Sequence, residues 1–264
     1  YTLSLHDALP ILVGLAVNQQ VRKNLRFRWM ASGLRNAEKE AIDITGAYLF
    51  GERSFDESKP EFGSIVNPLG AGVYQNYARN TLQVDVFSLA HKGYYDRGNH
   101  YWQWGLSYDR QQVRDQLHEF EYQDSAGYSL PYNAGNFALF KTLRSAADLN
   151  TNRYSAFLQD NISWGDSSGF GLQAGLRINY NDLNRELLVS PRLGASWKPM
   201  RWKNDIIFRA SAGIYQQPPF YREMRRYDGT VNTGLKAQKS WQMSAGLDYN
   251  FPAFNRILRL SSEL

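Results

Sequence analysis

The chain has 264 residues, 43% hydrophobic and 14% aromatic, with 30 basic against 25 acidic side chains and a net charge of +5. A mean hydropathy of −0.52 and the lack of a long apolar run exclude a transmembrane helix, but not a β-barrel, whose strands cross a bilayer by alternation. No basic block points to nucleic acid, and without cysteine no disulfide forms, which leaves the compartment open.

The first eleven residues, YTLSLHDALPI, resemble translated sequencing-adaptor sequence and are expected not to belong to the biological protein. The alternative takes residues 8–17, ALPILVGLAV, as the apolar region of a signal peptide, which a missing Met and a missing basic start disfavour. Strands are then predicted over 20–32, 41–50, 77–92, 98–109, 153–164, 169–180, 187–198, 205–215, 239–251 and 255–264. The pattern is clearest in 169–180, where Phe170, Leu172, Ala174, Leu176, Ile178 and Tyr180 alternate with Gly, Gln, Arg and Asn. Side chains in a strand point to alternate faces, so this is a strand with one apolar and one polar face. The same alternation recurs in Ile206, Phe208, Ala210, Ala212 and Ile214, and again in Trp241, Met243, Ala245, Leu247, Tyr249 and Phe251.

A soluble sandwich also alternates, so lipid has to be argued separately. These strands match the ~9–11 residues of a tilted membrane strand better than the ~5–6 typical of soluble sheets. Aromatics sit near the ends of the apolar face, at Trp164, Tyr180, Trp197, Tyr215, Trp241 and Tyr249, where amphipathic rings prefer the lipid–water boundary. The connectors 33–40, 51–76, 93–97, 110–152, 165–168, 181–186, 199–204, 216–238 and 252–254 alternate in length, as the outer loops and periplasmic turns of an outer-membrane barrel do. The inward set Gln173, Arg177, Arg209, Ser211, Gln242, Ser244 and Asp248 is then expected to face a lumen or whatever fills it.

No catalytic constellation emerges. His91 and His100 flank the predicted turn at 93–97 and could face each other, but two histidines do not define a metal site, and no predicted hairpin supplies a convergent acid–histidine pair. The run DLNTN at 148–152 lacks the central Gly and final Glu of a calcium loop. No catalytic residue, cofactor or metal is expected. Connector 110–152 carries Tyr122, Tyr128, Tyr132, Phe137 and Phe140, and loops this long are commonly functional or disordered. Connector 216–238 follows Pro218 and Pro219 with Phe220, Tyr221, Arg222, Arg225, Arg226 and Tyr227. Such a mixture can stack on and ion-pair with an anionic or glycan ligand, and those six are the ligand-contact candidates; the alternative is a rigid proline turn leading into a solvated loop.

The C-terminal third carries a more specific signal. Residues 187–199, LLVSPRLGASWKP, hold Ser190, Pro191, Arg192 and Leu193; residues 205–224 hold Arg209, Ala210, Ser211 and Gly213, then Pro219 and Phe220. Residues 234–251 hold Leu235, Lys236, Lys239 and Ser240, then Gly246, Asp248 and Tyr249. In order and spacing this resembles the barrel of TonB-dependent outer-membrane receptors, with Ala237 and Gln238 where that family usually has Pro-Glu. The resemblance implies an all-β fold: about ten meandering antiparallel transmembrane strands, an open, curved sheet from a larger barrel of about 22 strands.

On this reading residues 12–264 are a partial barrel without plug domain or coupling segment, and both ends look cut. The resemblance implies a fragment of a receptor that, intact, binds a scarce ligand at the surface of a Gram-negative bacterium and imports it with inner-membrane energy. Its partners would be outer-membrane lipid, the plug, a TonB-type energy-transducing complex and an unknown small-molecule, glycan or peptide ligand, with no nucleic acid. The competing readings are a small passive porin or structural barrel, and a soluble all-β carbohydrate-binding domain.

Overall fold

A computed structural model describes residues 2–124, 139–164 and 169–264, with the side chains of 2–6 left aside. It is a single sheet of ten strands, each hydrogen-bonded antiparallel to its neighbours in sequence. The strands are β1 (Thr2–Arg22), β2 (Leu25–Arg53), β3 (Ile65–Arg97), β4 (His100–Gln123), β5 (Lys141–Trp164), β6 (Phe170–Asn181), β7 (Glu186–Trp197), β8 (Asp205–Gln217), β9 (Gln238–Ala253) and β10 (Arg256–Glu263). One four-residue helix, α1 (Tyr221–Met224), lies between β8 and β9.

The alternation predicted for β6, β8 and β9 sets the register. Phe170, Leu172, Ala174, Leu176, Ile178 and Tyr180 lie on one face with Trp197, Ala195, Leu193, Pro191, Val189 and Leu187 opposite. Phe208 likewise faces Leu247, and Ile214 faces Trp241. A one-residue slip would send every apolar side chain to the other face. Two aromatic bands bound this outer face. Tyr108, Tyr154 and Tyr180 neighbour one another at 5.2 and 6.4 Å; Trp164 and Phe170 stack at 5.7 Å and Trp197 and Phe208 at 5.8 Å. Along β5 the bands stand ten residues apart, from Tyr154 to Trp164. That is ~34 Å of strand, or ~24 Å of height at a tilt of about 45°, the thickness of an outer-membrane apolar belt.

The sheet departs from expectation in its first half. β1 was not among the predicted strands, and Thr2–Arg22 pairs with β2 from Ile44 to Leu25. Predicted strands 20–32 and 41–50, with connector 33–40 between them, are instead the turn at Lys23 and Asn24 followed by the unbroken β2. The turn expected at 93–97 is at Gly98 and Asn99, and most of connector 110–152 belongs to β4 and β5. For β2 to β5 the physical cause is the same: they run 24 to 33 residues, twice the 12 or 13 of β6 to β8. The added length bears polar groups on both faces, such as RNAEKE at 35–40, and without an apolar face there is no alternation to read. Tyr215 also differs. It was placed on the apolar face but lies on the inner one, where the Arg192 guanidinium sits 4.3 Å from its ring centroid.

The alternation of short turns and long connections holds in part, broken by the four residues 182–185 at the long end and the seven residues 198–204 at the short one. Turns at 23–24, 98–99 and 254–255 share one end of the sheet, and connections 54–64 and 218–237 share the other. Phe254 and Asn255 both adopt positive φ, 52° and 60°, the two-residue hairpin geometry that matches strand twist. In the extended part of β2 and β3, Gly46 faces Tyr74 and Gly72 faces Tyr48. Each tyrosine lies over the opposing glycine, so a Cβ at Gly46 would come within 2.3 Å of the Tyr74 ring and one at Gly72 within 2.2 Å of Tyr48.

Candidate ligand-facing site on the inner wall

After β8, Pro218 and Pro219 end the ladder, since proline lacks an amide donor, and Phe220 enters α1 in extended conformation (φ −77°, ψ 158°). The Glu223 carboxylate accepts the Phe220 N–H at 2.9 Å, and Met224 is buried. The chain then turns back: Arg226 N–H donates to the Thr230 carbonyl at 2.8 Å and Gly229 N–H to the Arg226 carbonyl at 3.0 Å. Asp228 accepts the hydroxyl and amide of Thr230 at 2.6 and 2.9 Å, and these bonds hold its carboxyl below the usual carboxylate range. Gly229 takes φ +81°, and a Cβ there would meet Ser145 at 2.5 Å.

This loop folds onto the inner face instead of standing above the sheet. Arg222 pairs with Glu38 of β2 at 2.9 Å, and Arg225 with Asp115 of β4 at 3.1 Å. The Tyr221 hydroxyl donates to the same Asp115 oxygen at 2.6 Å, and Ser145 of β5 donates to the Gly229 carbonyl at 2.6 Å. Arg153 of β5 reaches the Pro219 carbonyl at 3.4 Å. Near the return, Ala237 N–H donates to Glu186 of β7 at 2.9 Å. From β8 to β2 is six inter-strand steps, ~29 Å along the sheet at about 4.8 Å each, so the loop crosses a curved hollow. Burial, then the Asp115 carboxylate at its hydroxyl, pushes the Tyr221 phenol well above the ordinary tyrosine range.

The six predicted contact residues therefore divide. Tyr221, Arg222 and Arg225 are engaged with wall carboxylates, whereas Phe220 is 57% and Tyr227 fully exposed. Arg226 is exposed and forms no side-chain ion pair among the described residues. Glu38 and Asp115 were missed, as was their surround, where the Asn80 amide donates to Glu40 at 2.9 Å and Glu119 at 2.7 Å. The only sequence signal was period-2 spacing in Glu38 and Glu40, legible once β2 is known to continue through them.

The expected inward residues share this inner face in register, with Ser211 opposite Ser244 and Gln242 opposite Gly213. Arg209 and Arg259 both reach the buried Asp248, Arg259 at 2.8 Å, and Ser261 donates to it at 2.6 Å. Of the tyrosine-rich connector, Tyr122 lies among the last residues of β4 and Phe140 is exposed, while Tyr128, Tyr132 and Phe137 lie outside the described residues.

The histidines do not meet. His91 packs against Phe27 and Trp29 on the outer face, at 5.3 and 4.1 Å between rings. His100 Nδ1 lies 2.6 Å from Asp160 Oδ2, an acid–histidine pair across the β4–β5 hairpin that the sequence was not expected to supply. No serine or threonine hydroxyl bonds to His100 among the described residues, so no nucleophile completes the pair; nor does any cluster of three metal-ligating side chains occur among them.

An inward-folded loop on a meandering sheet with an apolar belt is the setting in which the sequence relations become informative. The family model described as TonB dependent receptor-like, beta-barrel matches residues 14–261. The chain belongs to this family. No curated protein matches the sequence significantly. Among solved structures, the TonB-dependent wall is similar to the RagAB peptide importer in its closed-closed state, with TM-score 0.55 and 12% identity over 99% of this chain and 30% of that one. A second structure of the RagAB peptide transporter gives TM-score 0.53 and 10% identity, over 96% and 29% of the two chains. The copper transporter OprC follows at TM-score 0.46 and 14% identity, over 90% and 42%. At such identities the two RagAB likenesses speak for the fold alone, and the chain spans about 30% of the length of the first of these structures.

Proposed function

We propose that this chain is part of the wall and outer loops of a receptor that captures a scarce ligand at the surface of a Gram-negative outer membrane and imports it with inner-membrane energy. In the intact protein a plug domain occupies the inner face and engages a TonB-type complex. The observation that carries the reading is loop 218–237 folded over the inner wall through Arg222–Glu38 and Arg225–Asp115, because an inward loop has a purpose only where something enters the hollow. Its tip supports ligand contact by Phe220, Arg226 and Tyr227, an aromatic and basic set suited to an anionic group or a glycan. Tyr221, Arg222 and Arg225 hold the tip in place.

The test uses the complete reading frame recovered from the parent genome, expressed in a receptor-deficient host with and without TonB. Uptake of a panel of ferric siderophores, cobalamin, maltodextrins and short peptides is measured. One panel member is expected to enter in a TonB-dependent way, with Arg226→Ala and Tyr227→Ala reducing its uptake at least tenfold while the barrel assembles normally. Uptake unchanged in the strain without TonB would overturn the reading in favour of a passive barrel.

A further inference from the structure

Several cations of the inner wall and of the loop over it have carboxylate partners within this chain. Arg209 and Arg259 share Asp248, and Arg222 and Arg225 meet Glu38 and Asp115. One cluster toward the short-turn end of β2 and β3 has none and sets two cations face to face. Arg28 is directly opposite Lys92, both are exposed, and neither forms an ion pair or side-chain hydrogen bond among the described residues. Arg26, the next inward residue of β2, has only the Tyr94 ring, 5.6 Å from its guanidinium carbon.

Phe27, Trp29 and His91 pack together on the outer face, so alternation places Arg26, Arg28 and Lys92 on the inner one. Their inward neighbours in register, Asn18 and Gln20 of β1 and Gly105 of β4, are uncharged. The nearest inward carboxylate, Asp96, is two residues beyond Tyr94 and forms no ion pair with them. Like charges directly opposite on adjacent strands destabilise a sheet, and no carboxylate of the described residues pairs with either of these two.

We infer that Arg26, Arg28 and Lys92 form a docking patch for an acidic polypeptide segment seated inside the barrel. The inference rests on the receptor reading, in which the inner face is covered by a plug domain, and adds to it which part of the wall that domain engages and with what chemistry. Carboxylates of the segment would neutralise the Arg28–Lys92 repulsion and take bidentate bonds from the two guanidiniums. Tyr94, under Arg26, keeps that guanidinium in place for them.

The experiment treats the purified full-length receptor with a water-soluble carbodiimide, which joins a lysine amine to a carboxylate in contact with loss of water, and maps the linked peptides by mass spectrometry. Lys141 and Glu121, 3.3 Å apart, give the internal positive control. Lys92 is expected to link to an Asp or Glu outside residues 1–264, and Lys92→Arg, which keeps the charge but lacks the amine, removes that link alone. Arg28→Gln with Lys92→Gln is expected to raise sensitivity to vancomycin several-fold, with unchanged heat-modifiable migration showing an assembled barrel. Lys92 linked only to Asp96, or to nothing while Lys141 links to Glu121, overturns the patch. So does loss of the Lys92 link on adding millimolar inorganic phosphate without any change in vancomycin sensitivity of the double variant. A reading frame that encodes no lumen-filling domain would instead sink the receptor reading itself.

Discussion

The ten-residue belt between the two aromatic bands and the extensions of β2 to β5 beyond it are one continuous sheet built under two different rules. In the belt most outward side chains are apolar, with His91 and Asp160 among the exceptions, so the outer face is fixed by its surroundings and register follows from it. In the extensions both faces carry polar groups, and register depends on particular pairs: Arg35 with Asp85 at 2.6 Å, Gln75 with Asp43 at 3.0 Å, Asn80 between Glu40 and Glu119. The belt is held by a pattern and the extensions by individual contacts. Single substitutions should therefore act on the belt through position and on the extensions through identity.

The sharpest test of that contrast places the same charge in both. Leu176→Arg, on the outer face at mid-belt, is expected to destabilise the full-length receptor folded in liposomes by about 2–4 kcal/mol, measured by urea unfolding. Ala47→Arg, on the outer side of the β2 extension, is expected to change stability by less than about 0.5 kcal/mol. Equal effects would erase the distinction.

The next is steric. A Cβ on Gly93 would lie 2.1 Å from the Trp104 ring, while one on Gly33 meets nothing within 4 Å. Gly93→Ala is expected to cost about 1–3 kcal/mol by overpacking and Gly33→Ala to be near neutral, again by urea unfolding.

Asp115→Ala tests contact identity in the extensions. It leaves the Tyr221 hydroxyl and Arg225 without their acceptor, a loss of about 1–3 kcal/mol for the loop's attachment. Trypsin cleavage after Arg225 or Arg226 is expected to accelerate several-fold with the rest of the barrel resistant. The smallest effect is expected from Tyr221→Phe. The folded-state pKa of Tyr221 is raised, so the phenol's contribution is present below its ordinary value of about 10 and is lost only as pH climbs through the higher folded value. A spectrophotometric titration to about pH 11 is therefore expected to be the same with and without Tyr221.

The same division explains what could be read from the sequence. From Phe170 onward the strands fall within a few residues of their predicted bounds, because each is little longer than the belt and alternates throughout. In β2 the predicted break at 33–40 coincides with a charged run that the strand carries straight through, because water on both faces removes the constraint that makes strands visible. The inward fold of loop 218–237 was illegible for another reason. Arg222 and Arg225 find their acids 184 and 110 residues away, and no local rule connects those positions. The aromatic and basic content of the loop was visible; which of its residues were committed to the wall was not.

The crossed seating of Tyr48 over Gly72 and Tyr74 over Gly46 bears on assembly. β2 and β3 form the longest ladder of the sheet, from Leu25–Tyr95 to Arg53–Ile65, and its upper half offers a sliding hairpin many near-equivalent polar pairings. A two-residue slip keeps every side chain on its correct face and so escapes correction by the bilayer. Slipped one way, it would set Tyr48 against Tyr74; slipped the other, it would set Tyr74 against Ile44 while Tyr48 met Gly70. These glycines act as a vernier for hairpin closure, rejecting the misalignments to which the membrane is blind.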